Sequence, residues 1–283
     1  MFRKAVLGLF AAMAAGVGPA VAADIIDPPI VEAPPAVVYE SESYGGWYLR
    51  GDIDYHASRF HGANYITYGV NAFGNSVPGT GKFDFGNLKG AFSLGVGAGY
   101  QINKYLRADV TADWWFKSKF SGQTSGFCGG APCQSSDSSS YSALLLLANA
   151  YADLGTYKGI TPYVGVGIGG AHVKWDDLRN TIAGVTTVHA GAKNMRFAWA
   201  LMAGASYCLT NRLKLDVGYR YSRISGGRMF ELAPLVGPGA GPGFDKGISV
   251  HEGRAGLRYQ FGGSTGCEEP VAYEPEPVVP IYK

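Results

Sequence analysis

Cysteine, histidine and charged residues are where this 283-residue chain could do chemistry. Cys128 and Cys133 bracket a Gly-Gly-Ala-Pro segment inside a Gly/Ser-rich stretch. In an exported chain that spacing fits a disulfide stapling an exposed loop, since a metal site would want histidines close by. Cys208 and Cys267 leave two readings: a second bridge that pins the C-terminal segment, or two separate thiols. His56-Ala57-Ser58 offers the base and hydroxyl of a nucleophilic pair, but a pair acting on lipid would have to face the membrane with an orienting carboxylate behind it. His61, His172, His189 and His251 could ligate haemin iron, or simply be solvated at a rim. No cofactor or metal is expected, and no catalytic residue is assigned.

The densest signal is a set of charges at alternate positions. In a strand, residues two apart share a face, and eight segments follow that period. Across residues 47–56, Trp47, Leu49, Ile53 and Tyr55 oppose Arg50, Asp52, Asp54 and His56. Across 91–103, Phe92, Leu94, Val96 and Tyr100 oppose glycines and Gln101. Across 106–117, Leu106, Val110, Trp114 and Phe116 oppose Arg107, Asp109, Asp113 and Lys117. Segment 142–154 is the least regular, with Leu144 and Leu146 against Leu145, Asn149 and Asp153; segment 163–169 sets Val164, Val166 and Ile168 against Tyr163 and glycines. The last three, near 196–208, 213–222 and 252–261, place Phe197, Leu201, Tyr219, Leu257 and Phe261 opposite Arg196, Lys214, Asp216, Arg220, Glu252, Arg254 and Arg258.

One face is therefore almost uncharged, with aromatics near the strand ends, and the other carries both signs. Aromatic girdles of that kind sit at membrane–water boundaries. The dry core of a soluble sandwich could not hold so many ions, because each unpaired one costs several kcal/mol. A closed barrel could hold them facing inward and paired, and eight strands leave an interior that side chains just fill. The pattern predicts an all-β fold, an eight-stranded antiparallel up-and-down transmembrane β-barrel, with Arg50, Asp52, Asp54, Arg107, Asp109, Asp113, Lys117, Arg196, Lys214, Asp216, Arg220, Glu252, Arg254 and Arg258 forming ion pairs across the lumen.

Short connections at 103–104, 155–159 and 210–211 alternate with long ones, roughly residues 57–90, 118–141, 176–194 and 223–247. That alternation is the outer-membrane pattern of short periplasmic turns and long external loops. Arg3, Lys4, the small apolar residues of 5–18 and Ala20-Val21-Ala22 read as an export signal cleaved after Ala22. The plan is then a signal peptide at 1–22, a Pro-rich periplasmic linker at 23–45, the outer-membrane barrel at 46–262 and a Pro/Glu-rich periplasmic tail at 263–283. No stretch offers the roughly 18 consecutive apolar residues of a membrane-crossing helix. A net charge of +2 gives no reason to expect a nucleic-acid partner. The expected partners are outer-membrane lipids and lipopolysaccharide. Loop aromatics such as Tyr65, Phe83, Phe127, Phe230 and Phe244 contact a partner or pack on one another above the barrel.

The mature start at Ala23-Asp24, the Gly46-Trp47-Tyr48 opening of the first strand, Leu215-Asp216-Val217-Gly218-Tyr219-Arg220-Tyr221 and Gly256-Leu257-Arg258-Tyr259-Gln260-Phe261 resemble the small OmpA-like surface barrels of rhizobia, Brucella and Bartonella. Tyr259-Gln260-Phe261 is similar to the terminal signal read by the barrel-insertion machinery, except that 22 residues follow it here. The resemblance implies a bacterial outer-membrane location, a structural role in envelope integrity and surface exposure, without enzymatic activity. It also implies alternatives, since some members are adhesins or haemin binders; a small pore is disfavoured by a lumen full of ion pairs. In some relatives the mature Ala-Asp end is joined covalently to peptidoglycan. Carried over, the Ala23 amino group is the linkage point and Asp24 part of its recognition; the other reading is a free tail.

Overall fold

The computed structural model describes residues 44–71, 73–128, 131–233, 239–263 and 265–267. The segment read as an export signal, Ala23 and Asp24 of the expected linker, and most of the expected C-terminal tail lie outside the described residues. Eight long strands carry the architecture: β1 Gly46–Phe60, β2 Ala91–Gln101, β3 Leu106–Gln123, β4 Ala131–Asp153, β5 Ile160–Trp175, β6 Lys193–Cys208, β7 Leu213–Ile224 and β8 Ile248–Phe261. Each pairs antiparallel with its neighbour in sequence. β1 also pairs along its length with β8, from Trp47 opposite Phe261 to Phe60 opposite Ile248. The ring is therefore closed, and none of the eight strands leaves a free edge in the part that must cross a bilayer.

The three tight connections are built from local chemistry. The Asn103 side-chain oxygen accepts the backbone N–H groups of Tyr105 and Leu106. Thr210 Oγ1 accepts those of Arg212 and Leu213. Between β4 and β5, Gly155 and Gly159 take the left-handed backbone (φ +98° and +77°) that closes a turn cheaply only for glycine.

The opposite end departs from expectation. The segments read as long polar loops are instead largely β-structure. β1 continues to Phe60, β3 to Gln123 and β5 to Trp175, while β4 is 23 residues long. At about 3.3 Å per residue that is roughly 76 Å of strand, against the 9–11 residues a membrane crossing needs. Eight shorter strands add to this head. Gly227–Phe230, Gly239–Asp245, Ala63–Val70 and Ser76–Lys82 form a separate four-stranded sheet in that order, drawn from the connections on either side of β1 and β8. Phe85–Leu88 pairs with the top of β3, and Ser125–Cys128 with the start of β4. Leu178–Ile182 pairs with residues 135–138 of β4 and with Val185–His189. The physical reason is that alternation continues past the bilayer with polar and small residues among the inward positions: Ser118, Phe120, Ser135, Asp137 and Tyr141 are buried while most of their neighbours are exposed.

Candidate functional site

Two surfaces of the ring can act, the outward face and the lumen. Outward residues of seven of the eight long strands are apolar and open: Leu49, Ile53, Leu94, Val96, Val110, Val164, Val166, Ile168, Leu201, Val217 and Leu257 are all about half exposed or more, and β4 adds Leu146 at 38%. A continuous apolar band of this extent far exceeds the patches that water-soluble monomers expose. Aromatic pairs border it. Near the short turns lie Trp47 against Tyr100 and Tyr259 against Phe261; near the head lie Tyr55 against Phe92 and Trp199 against Tyr221. Trp47 and Tyr55 are eight residues apart, about 26 Å along the strand, or roughly 20 Å across the membrane at a tilt of about 40°, a little short of an outer-membrane band about 25 Å tall.

Immediately above the upper aromatics, the outward positions turn basic. Arg59, Lys89, Lys117, Lys119, Lys174, Lys193 and Lys246 are exposed, and Arg223 is half-buried among them. Lys174 stands directly opposite Lys193 on neighbouring strands, an arrangement that costs stability unless an anion answers it. Within this belt only Lys117 has an acidic partner at ion-pair distance among the described residues, Asp176 at 2.7 Å. Lys117 thus corrects the sequence reading, which placed it in the lumen. The register shifts between Trp115 and Ser118, and this β-bulge leaves Lys117 outward and puts Ser118 inward in its place.

The lumen has two layers. Toward the short turns it is ionic. Arg50 bonds Asp52 at 2.7 Å and Asp109 at 3.3 Å. Arg254 reaches Asp52, Asp54 and Asp113 at 3.1–3.2 Å. Arg220 holds Glu252 on the adjacent strand and Asp113 at 2.7 Å on β3, across the ring. Arg258 pairs with Asp216 and Arg107 with Asp153. Lys214 takes no carboxylate; its Nζ donates to the Thr265 carbonyl at 2.6 Å. The terminal nitrogens of Arg107 find ring faces in place of acceptors, stacked on Tyr151 at 4.2 Å and Tyr163 at 4.7 Å. Facing glycines make that stack possible: a Cβ on Gly204 or Gly218 would meet the Tyr163 hydroxyl at 2.7 or 2.6 Å. Two partners were missed by sequence reasoning. Asp153 sat on the least regular segment, and Asp245, which binds Arg196 at 2.7 Å near the head, sat inside a stretch read as loop.

Above the ions the lumen is dry. Trp115, Tyr141, Leu145, Leu147, Ala171, Val173, Trp175, Ile224, Ile248 and Val250 are buried in one cluster. Phe60, Phe83, Phe120 and Phe230 continue it upward into the head through edge-on ring contacts 5.0–6.3 Å apart. His56 faces this interior, stacked on Trp115 at 4.9 Å with Nδ1 3.2 Å from Ser58 Oγ, and Ser58 bonds the Tyr141 hydroxyl. The pair is brought together, but on the lumen side and away from lipid.

Both cysteine pairs are bonded. Cys128–Cys133 closes the tip of the Ser125–Cys128 hairpin, and Cys208–Cys267 ties the end of β6 to the segment after β8; Cα–Cα is 5.7 Å in each. The histidines stay apart. His61 bonds Ser249, His251 bonds Tyr219, His189 bonds the Glu231 carbonyl, and His172 is exposed on β5. Among the described residues no three His, Cys, Asp or Glu side chains gather as metal ligands would.

Comparison with known proteins gives a consistent picture. The family model described as outer membrane protein beta-barrel domain matches residues 8–261. An uncharacterised protein of Brucella abortus is 38% identical over 274 residues, spanning 87% of this chain and 94% of the relative. A putative adhesin of Rickettsia bellii is 28% identical over 188 residues, 64% of this chain and 73% of its own length. Among solved structures, the outer membrane protein OprG of Pseudomonas aeruginosa is similar over 78% of this chain and 98% of its own, with 12% identity and a TM-score of 0.44.

Proposed function

The chain belongs to the outer-membrane-protein β-barrel family, and from that membership we propose that it is a sealed structural barrel that stabilises the bacterial outer membrane and carries a rigid external head. The observation that carries this reading is the filled lumen. An ion-paired layer capped by buried Trp115, Tyr141 and Trp175 fills the bore with side chains, which supports a wall component over a solute path. The basic belt supports anchorage on the outer leaflet: side chains such as Arg59, Lys119, Lys174 and Lys193 stand where the phosphate-bearing headgroups of lipopolysaccharide would lie. The linkage through Ala23 and Asp24 belongs to the same reading, as a tie from this barrel to peptidoglycan.

The test is a deletion strain scored for detergent sensitivity and vesicle release. Complementation by the intact chain restores both. Complementation by a chain with Arg59, Lys119, Lys174 and Lys193 changed to Gln restores the barrel but leaves roughly the deletion phenotype. Muramidase digests of sacculi report the tether, as an Ala23 peptide carrying a stem-peptide mass. An unaltered envelope in the deletion strain removes the structural role. A second reading, surface adhesion, is favoured by the ordered head and by the adhesin name of the Rickettsia relative. It predicts that beads coated with the protein bind host cells and lose binding when the head is trimmed.

A further inference from the structure

Nine carboxylate side chains of the described residues are buried, and eight of them have an arginine partner. Asp137, on the head portion of β4 and 1% exposed, is the ninth. Its oxygens accept only neutral donors, Ser135 Oγ at 2.6 Å and Asn180 Nδ2 at 2.6 Å. An ionised carboxylate can accept about four hydrogen bonds, so half of its capacity is free. Buried carboxylates are ordinarily paired, because desolvating one alone costs several kcal/mol.

Asp137 lines a cavity of about 110 Å³. Its walls come from three elements of the head: Tyr65 of Ala63–Val70, Phe230 of Gly227–Phe230, and Phe83 between strands, with ring centroids 5.9–6.3 Å apart. His189 closes one side, 4% exposed and packed edge-on to Phe230 at 5.1 Å. Its Nδ1 carries the proton donated to the Glu231 carbonyl, so in the neutral ring Nε2 is a lone pair without a hydrogen-bond partner among the described residues. Burial pushes the His189 imidazole below its ordinary value, so it does not supply a positive charge at neutral pH. Burial also pushes the Asp137 carboxyl up, as expected of an acid without a cation beside it. No lysine or arginine lines the cavity.

The free positions on Asp137 and His189 are thus acceptors, and the walls include aromatic faces, which attract cations. We propose that this cavity binds the head of an alkylammonium ion, a primary or methylated aliphatic amine, with Asp137 as counter-ion and the rings of Tyr65, Phe83 and Phe230 as walls. At about 110 Å³ the cavity is smaller than the roughly 150 Å³ that admits benzene, and it suits the smaller head of a methylated amine. A hydrated divalent metal would want more oxygen ligands than Asp137 alone provides.

The test is calorimetric titration of the folded, detergent-solubilised full chain with butylammonium, tetramethylammonium and, as the uncharged control, n-butanol. Both ammonium probes should bind at one site and butanol should not. Asp137→Asn, which keeps the size of the side chain, should weaken ammonium binding at least roughly tenfold, the scale of a lost charged contact. Tyr65→Leu, on the cavity's half-buried wall, should weaken tetramethylammonium severalfold while Asp137 stays in place. Should the Asp137 variant fail to show the gel shift of a folded barrel, the Tyr65 variant and the butanol control decide. Equal binding of butanol, unchanged affinity in both variants, or no heat from either ammonium probe would overturn the proposal.

Discussion

At the scale of single residues, the lumen rests on arginines that each serve several acids. Arg220 is the plainest case. It is fully buried and bonds Glu252 beside it and Asp113 across the ring, with Asp54 at 3.8 Å. Arg220→Met roughly keeps the volume and leaves Glu252 buried without a cation, while Arg254 still holds Asp54 and Asp113, so it should cost about 3–5 kcal/mol in urea unfolding followed by tryptophan fluorescence. Lys117→Ala, at a surface pair 66% and 31% exposed, should fall within about 1 kcal/mol of wild type. The contrast checks the inside–outside assignment, since a lumen position for Lys117 would make the two changes comparably severe. Most inward charges were legible from alternation alone, because a period of two assigns each residue a face wherever the ladder is regular. Lys117 was not, because a bulge adds a residue to one strand and leaves no mark in composition.

Elements show a similar boundary between what period two reveals and what it hides. The membrane-crossing parts of β1, β3, β7 and β8 stand out because large apolar residues alternate with charges. Their continuations do not, since alternation there is carried by Ser, Thr, Gly and Asp, the residues of ordinary loops. The Ser135–Tyr141 region of β4 and the Gly-rich Gly239–Asp245 strand are cases in point. Elements so poor in intrinsic strand preference depend on being tied to neighbours, and the disulfides do part of this. Cys208–Cys267 spans 59 residues and Cys128–Cys133 spans 5. On the chain-entropy model the first should contribute roughly 4 kcal/mol and the second about 2. Cys208→Ser should therefore lower the thermal unfolding midpoint of the whole barrel more than Cys128→Ser. Cys128→Ser should act locally, raising amide exchange along the Ser125–Cys128 hairpin. Equal global effects would mean that the head and the ring unfold as one unit.

For the whole molecule, the ring is inverted relative to a soluble β-protein, with apolar residues outside and ions within, and it is closed at both the edge and the bore. Closure at the edge follows from β1 pairing with β8. Closure at the bore follows from Arg50, Arg220 and Arg254 bridging strands through the middle, under the layer of Trp115, Leu145 and Trp175. The barrel was readable from sequence because its two faces meet two different solvents. The dry layer was less so, since Leu145 and Leu147 lie on the segment where both faces are apolar. Planar-bilayer conductance reports whether the bore is sealed, with insertion verified by protease access to the head on one side only. A bore filled by these side chains should leave the membrane no more conductive than lipid alone. A steady, voltage-tolerant open channel from the wild-type chain would contradict it.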